Sequence, residues 1–177
     1  MKKFKDEKHY RLKNYNYAQN GYYYVTICTK DREHLFGEIC EADIQLSPIG
    51  NIAKQYWEEI PRHFTYALLD EYIFMPNHMH GIIRIEYDNN EYCRNAINRV
   101  PTGCGGITEQ YNSMGKQTLG EIIRWFKGRS TYEIHKLFPT IEIWQPRFYD
   151  HIVRNEHDLE RIRKYIILNP KRWEENY

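Results

Sequence analysis

The chain has 177 residues, 41% of them hydrophobic, which is about one domain's length and enough to bury a real core. Lys and Arg number 25 against 24 Asp and Glu, so net charge announces no nucleic-acid partner and local clustering has to carry that question. No apolar run is long enough to span a bilayer, and Cys28, Cys40, Cys93 and Cys104 form neither a CxxC pair nor a zinc-like spacing; the expectation is a soluble cytoplasmic protein in a reducing compartment, without a disulfide framework or structural zinc.

Residues 1–20 are polar and read as a basic arm, with Lys2, Lys3, Lys5, Lys8, Arg11 and Lys13 against Asp6 and Glu7. GYYYVTICTKDR alternates Tyr23, Val25 and Ile27 with Tyr24, Thr26 and Cys28, the period of a strand. HLFGEI and ADIQL follow as short strand material, with Gly37 as the turn or bulge residue. SPIGNIAKQYWEEIPRHF places Ser47 as N-cap and Pro48 at the first helical position, then Ile49, Ile52, Ala53, Tyr56 and Ile60 at helical spacing up to a stop at Pro61.

YALLDEYIFMPNHMHGIIRIEY reads as two strands joined at Pro76 and Asn77, because proline donates nothing to a ladder. Residues 88–117 lack periodicity and read as an insertion. Thr118 and Glu121 form a capping box ahead of Leu119, Ile122, Ile123 and Phe126, with Ile134 and Leu137 further along, a helix of about five turns. IEIWQPRFYDHIV reads as a strand interrupted at Pro146, and NEHDLERIRKYIILNP as a last helix capped by Asn155 and stopped before Pro170. This order predicts an α+β domain: an antiparallel sheet with helices packed on one face.

Within MPNHMHGII, His78 and His80 share one strand face with Cα atoms about 6.6 Å apart, while Met79 points to the core. Two converging imidazoles are a metal platform with positions left open, which suits catalysis on a phosphoryl oxygen. The same pattern also fits two histidines idle on the wet face of a strand. A nucleophile for such a site is found among the tyrosines. Tyr165 and Asn169 lie one turn apart, with Arg161, Arg163 and Lys164 nearby to neutralise phosphate, but Tyr165 also fits a core position beside Ile162 and Ile166, and chemistry alone does not prefer it to Tyr149 or Tyr132.

MPNHMHGII, its spacing to WQPRFYDHIVRNEHDLERIRKYIILNP, and the opening NYNYAQNGYYYVTICTKDREHLFGEI resemble the REP-associated tyrosine transposases, a branch of the single-tyrosine HUH (IS200-like) transposases. The resemblance runs from about Tyr15 to Trp173. It implies a ferredoxin-like core of the HUH endonuclease type, His78 and His80 as metal ligands, Tyr165 as nucleophile, and Asn169 as third ligand where the best-known relatives carry Gln. It further implies Mg or Mn as cofactor, and cleavage and rejoining of single-stranded DNA beside a REP-like hairpin through a 5′-phosphotyrosine. The protein is expected to act as monomer or homodimer. Basic residues available to grip DNA are Arg124, Lys127, Arg129, Arg147, Arg154, Arg161 and Lys164, with the N-terminal arm. The alternative is a domesticated binder that holds such hairpins without cutting them.

Overall fold

The structure, a computed structural model, describes residues 15–87 and 117–176. Most of the basic arm and nearly all of the 88–117 insertion lie outside the described residues. In chain order the elements are β1 (Gly21–Cys28), β2 (Gly37–Cys40), β3 (Asp43–Leu46), α1 (Pro48–Glu58), α2 (Ile60–His63), β4 (Ala67–Met75), β5 (His78–Ile85), α3 (Leu119–His135), β6 (Tyr149–Val153), α4 (Glu156–Ile167) and α5 (Asn169–Asn176). Three helix starts use the predicted caps: Ser47 Oγ accepts from Gly50 N–H at 3.0 Å, Thr118 Oγ1 from Glu121 N–H at 3.3 Å, and Asn155 Oδ1 from Asp158 N–H at 2.8 Å. Each bond satisfies a backbone donor that the helix itself cannot.

The main sheet is antiparallel in the order β4-β5-β1-β6, with α1 between β1 and β4 and α3 between β5 and β6. This is the split β-α-β arrangement of ferredoxin-like folds. Residues of odd number on β1 and β5, including Tyr23, Val25, Ile27, Met79, Ile83 and Ile85, join Trp57 of α1 and Ile122, Ile123 and Phe126 of α3 in the larger core. Residues on the opposite face, Tyr24 and Ile82, pack with Leu159, Ile162 and Ile166 of α4. Helices therefore cover both faces. The expectation of a single covered face fails because α4 carries its own apolar stripe and needs a surface that α1 and α3 have not taken.

Four local readings also change. Gly37 is the first residue of β2, at φ +142°, and a Cβ there would stand 2.0 Å from Gln45 O; the hairpin turns instead at Glu41 and Ala42, both at positive φ (52° and 59°). Pro61 opens the short α2, where the missing N–H is harmless, instead of ending α1. Pro170 likewise sits in the first turn of α5, so the chain bends at Leu168 and becomes helical again. Leu137 lies beyond the end of α3 at His135 and is exposed.

Behind the histidine pair, Gly81 lets the buried Trp57 indole lie directly on β5: a Cβ at this position would be 2.4 Å from a ring carbon. Gly81→Ala is expected to destabilise the domain by about 1–3 kcal/mol through overpacking, read as a lower urea midpoint; an unchanged midpoint would contradict this packing.

Candidate active site

β-strand alternation puts His78 and His80 on the α4 face and sends Met79, fully buried, into the larger core. Cross-strand pairing aligns Thr26 with His80 and Cys28 with His78, while Tyr149 of β6 is aligned with Thr26. The two Nε2 atoms face each other 3.0 Å apart. His78 Nδ1 lies 2.7 Å from Asn77 Oδ1, and His80 Nδ1 lies 2.7 Å from the Tyr24 hydroxyl and 2.9 Å from Thr26 Oγ1. Thr26 Oγ1 donates to the Tyr24 oxygen at 3.2 Å.

These contacts assign one arrangement of the protons. An amide oxygen only accepts, so His78 carries its proton on Nδ1 and its Nε2 bears a lone pair. His80 Nε2–H donates to that lone pair, and its Nδ1 accepts from Tyr24 O–H. The two hydroxyls around His80 Nδ1 can accept as well as donate, so the ring can move its proton to Nδ1 and free its Nε2 as well. Burial is the main cause that pushes His78 down to about 4 and His80 to about 3, with the Arg32 charge adding to the first and His78 to the second. Both rings are neutral at neutral pH, the form that ligates metal.

The pair fits a metal. Two nitrogens held at right angles, each about 2.1 Å from one ion, stand about 3.0 Å apart, the separation seen here. Among the described residues no third His, Cys, Asp or Glu joins them.

α4 brings Tyr165 over the pair. Its ring centroid is 5.2 Å from that of His80 and 6.5 Å from that of Tyr24, and the side chain remains partly exposed. Tyr132, by contrast, is exposed on α3 across the sheet, while Tyr149 sits on the site face, its ring 6.5 Å from Tyr24. Asn169 is buried at the joint between α4 and α5, one turn beyond Tyr165, and its amide is not hydrogen-bonded to either imidazole. From α5, Arg172 places its guanidinium carbon 5.6 Å from the Tyr165 ring centroid, and the Trp173 ring lies 5.9 Å from His78.

The predicted basic residues disperse. Arg124 and Arg129 are exposed on α3, whose apolar side packs on the face opposite the histidines, and Arg129 pairs with Glu133 at 3.3 Å. Lys127 Nζ is half-buried and donates to Gln145 O (2.7 Å) and Arg147 O (3.0 Å), so it fastens the segment before β6. Arg147, Arg154 and Lys164 are exposed, and Arg161 pairs with Asp158 at 2.6 Å. Arg163 is taken up by carboxylates: it grips Asp70 with two bonds of 2.8 and 2.6 Å and also bonds Glu160 at 2.6 Å.

The Asp70 grip depends on a β-bulge. Between Leu69 and Tyr72, β4 carries one extra residue, so Asp70 and Glu71 together oppose Ile82, and Asp70 reaches α4. The Arg163 guanidinium holds the Asp70 carboxyl below its ordinary range. Since the folded value is the lower one, this stabilisation is complete above the ordinary carboxylate range and is lost as pH falls through the lowered value. A double-mutant cycle with Asp70→Asn and Arg163→Gln is expected to give about 1–3 kcal/mol of coupling at neutral pH, fading on acidification. Additive losses would show that the pair does not dock α4.

Sequence reading missed Tyr24, Thr26, Asn77, Arg172 and Trp173. Tyr24 and Thr26 were legible as one face of β1, but only strand pairing shows that this face meets the histidines. Arg172 and Trp173 lie beyond Pro170, where helix was expected to have ended.

No protein-family model matches the chain. It is 40% identical over 167 residues to an uncharacterized protein of Haemophilus influenzae, covering 94% of this chain and 89% of that one. It is 24% identical over 162 residues to a second Haemophilus influenzae protein, named "Putative REP-associated tyrosine transposase", covering 90% of this chain and 76% of that one. A solved REP-associated tyrosine transposase bound to a REP hairpin superposes with a TM-score of 0.58 at 18% identity, over 96% of this chain and 74% of that one. The chain therefore belongs to one family with the uncharacterized Haemophilus influenzae protein, and in fold and sequence it resembles the REP-associated tyrosine transposases.

Proposed function

We propose that the protein is a metal-dependent enzyme that nicks and rejoins single-stranded DNA beside hairpins, with Tyr165 as nucleophile. The observation that carries this reading is the meeting of a phenol with two neutral imidazoles: the Tyr165 ring is 5.2 Å from His80, whose Nε2 is 3.0 Å from that of His78. The likeness to a transposase solved with a REP hairpin supports a hairpin-bearing substrate.

In the reaction the Tyr165 oxygen attacks the scissile phosphorus in line, its proton passing to solvent. A bond from that oxygen to phosphorus forms as the bond from phosphorus to the 3′ oxygen breaks, and the leaving oxygen takes up a proton as a free 3′ hydroxyl. Attack by a 3′ hydroxyl reverses the exchange and restores the phenol, so no nucleotide cofactor is consumed. His78 and His80, with Asn169 as a third ligand, would hold a Mg or Mn ion, which supplies polarisation of the phosphoryl oxygen. Asn77, Tyr24 and Thr26 orient the imidazoles. Arg172 sets a positive charge against the phenol side of the phosphate.

Incubation with Mn and labelled single-stranded hairpin oligonucleotides from the gene's own flanks should give a protein-linked band on a denaturing gel, lost with EDTA. A gel shift on those oligonucleotides with no linked band under any divalent metal would overturn the enzyme reading in favour of the non-cutting binder.

A further inference from the structure

Beside the histidines, on the same face of the sheet, a cleft of about 460 Å³ opens between the end of β1 and the segment entering β6. This lies within the range of about 300–1,000 Å³ usual for small-ligand sites. It is lined by Thr26 and Cys28 of β1, by Arg32 beyond that strand, and by Arg147, Phe148 and Tyr149 where the chain enters β6. The cleft is continuous with the candidate active site, since Thr26 Oγ1 is 2.9 Å from His80 Nδ1.

The far wall is held in place before any ligand arrives. Gln145 N–H donates to Cys28 O at 3.0 Å, Trp144 forms a β-bridge with Thr29, and Lys127 ties down the carbonyls of Gln145 and Arg147 at 2.7 and 3.0 Å. The half-exposed Tyr149 ring stands edge-on to Tyr24, centroids 6.5 Å apart, which steadies it without covering it. On the near side, Asp31 and Arg32 adopt left-handed backbone (φ 49° and 58°), and Arg32 lines the cleft. One aromatic ring and two arginines lining the same cleft match a ligand with one aromatic plane and anionic groups.

We infer that this cleft seats one unpaired nucleotide of the DNA strand next to the scissile phosphate, its base stacked on Tyr149 and its phosphates met by Arg32 and Arg147. The inference rests on the nicking reading for the position of the scissile phosphate, but the cleft's binding does not depend on cutting.

The test uses the full chain carrying Tyr165→Phe, in EDTA, with single-stranded flank oligonucleotides that carry 2-aminopurine at successive positions beside the hairpin. One position should be quenched on binding. Tyr149→Phe should keep the quench, whereas Tyr149→Ala should lose it and weaken binding about tenfold. Arg32→Gln and Arg147→Gln should each weaken binding and lower its salt slope by about one ion. Unchanged quench and affinity in Tyr149→Ala would overturn the assignment, as would quenching at no position or equally effective competition by free deoxynucleoside monophosphates. Metal-dependent linkage in wild type alongside an inert Tyr149→Ala would sink the cleft and leave the nicking reading standing; a localised quench without linkage would do the reverse.

Discussion

Tyr165→Phe is expected to abolish the covalent protein–DNA band and to lower nicking by at least about a thousandfold, because it removes the oxygen proposed to bond to phosphorus. Binding of the same oligonucleotide stays within about twofold, since the phenyl ring keeps its contacts with His80 and Tyr24. Quantitative gel shift and denaturing gels on one preparation read both quantities. Residual linkage at the wild-type rate would move the nucleophile elsewhere, and Tyr149, on the same face, is the first residue to examine.

His78→Ala and His80→Ala are each expected to lower the proposed metal-dependent nicking by at least about a hundredfold, because either change leaves one imidazole nitrogen in place of two. Loss of an outer partner of a ligating histidine already costs about 10–100-fold. Titration calorimetry with Mn should show binding lost in both variants, and Thr26→Val should weaken it by about tenfold, since Thr26 holds His80 from the second position. Wild-type Mn affinity in both alanine variants would place the metal away from the histidines.

How far the sequence discloses this arrangement depends on the range of the interaction. Caps are local, and Ser47, Thr118 and Asn155 all cap the helices their spacing implies. The strand joint at Pro76 and Asn77 is local too, and it places His78 at the first position of β5. The inward turn of Met79 follows from alternation alone. What could not be read is which surfaces meet. The move of α4 to the second face is set by long-range packing of Leu159, Ile162 and Ile166 on Tyr24 and Ile82.

The basic residues show the same limit from the side of charge. Lys127 and Arg163 look available in the sequence, yet one is bound to two carbonyls and the other to Asp70 and Glu160. A cation's task is decided by the acceptors within reach, and Asp70 is 93 residues away in the chain. Arg32 and Arg172, by contrast, reach the site only through a left-handed turn and a second helix after Pro170.

The measurement that bears most directly on the account is the identity of the residue that carries DNA. Trypsin cuts after Lys164 and Lys171, releasing Tyr165–Lys171, a peptide with a single tyrosine. After reaction with Mn and hairpin DNA, nuclease trimming and mass spectrometry, that peptide should carry a nucleotide phosphate on Tyr165, and should carry none when metal is withheld. A nucleotide on any other peptide, or on this one without metal, would contradict a site built from Tyr165, His78 and His80.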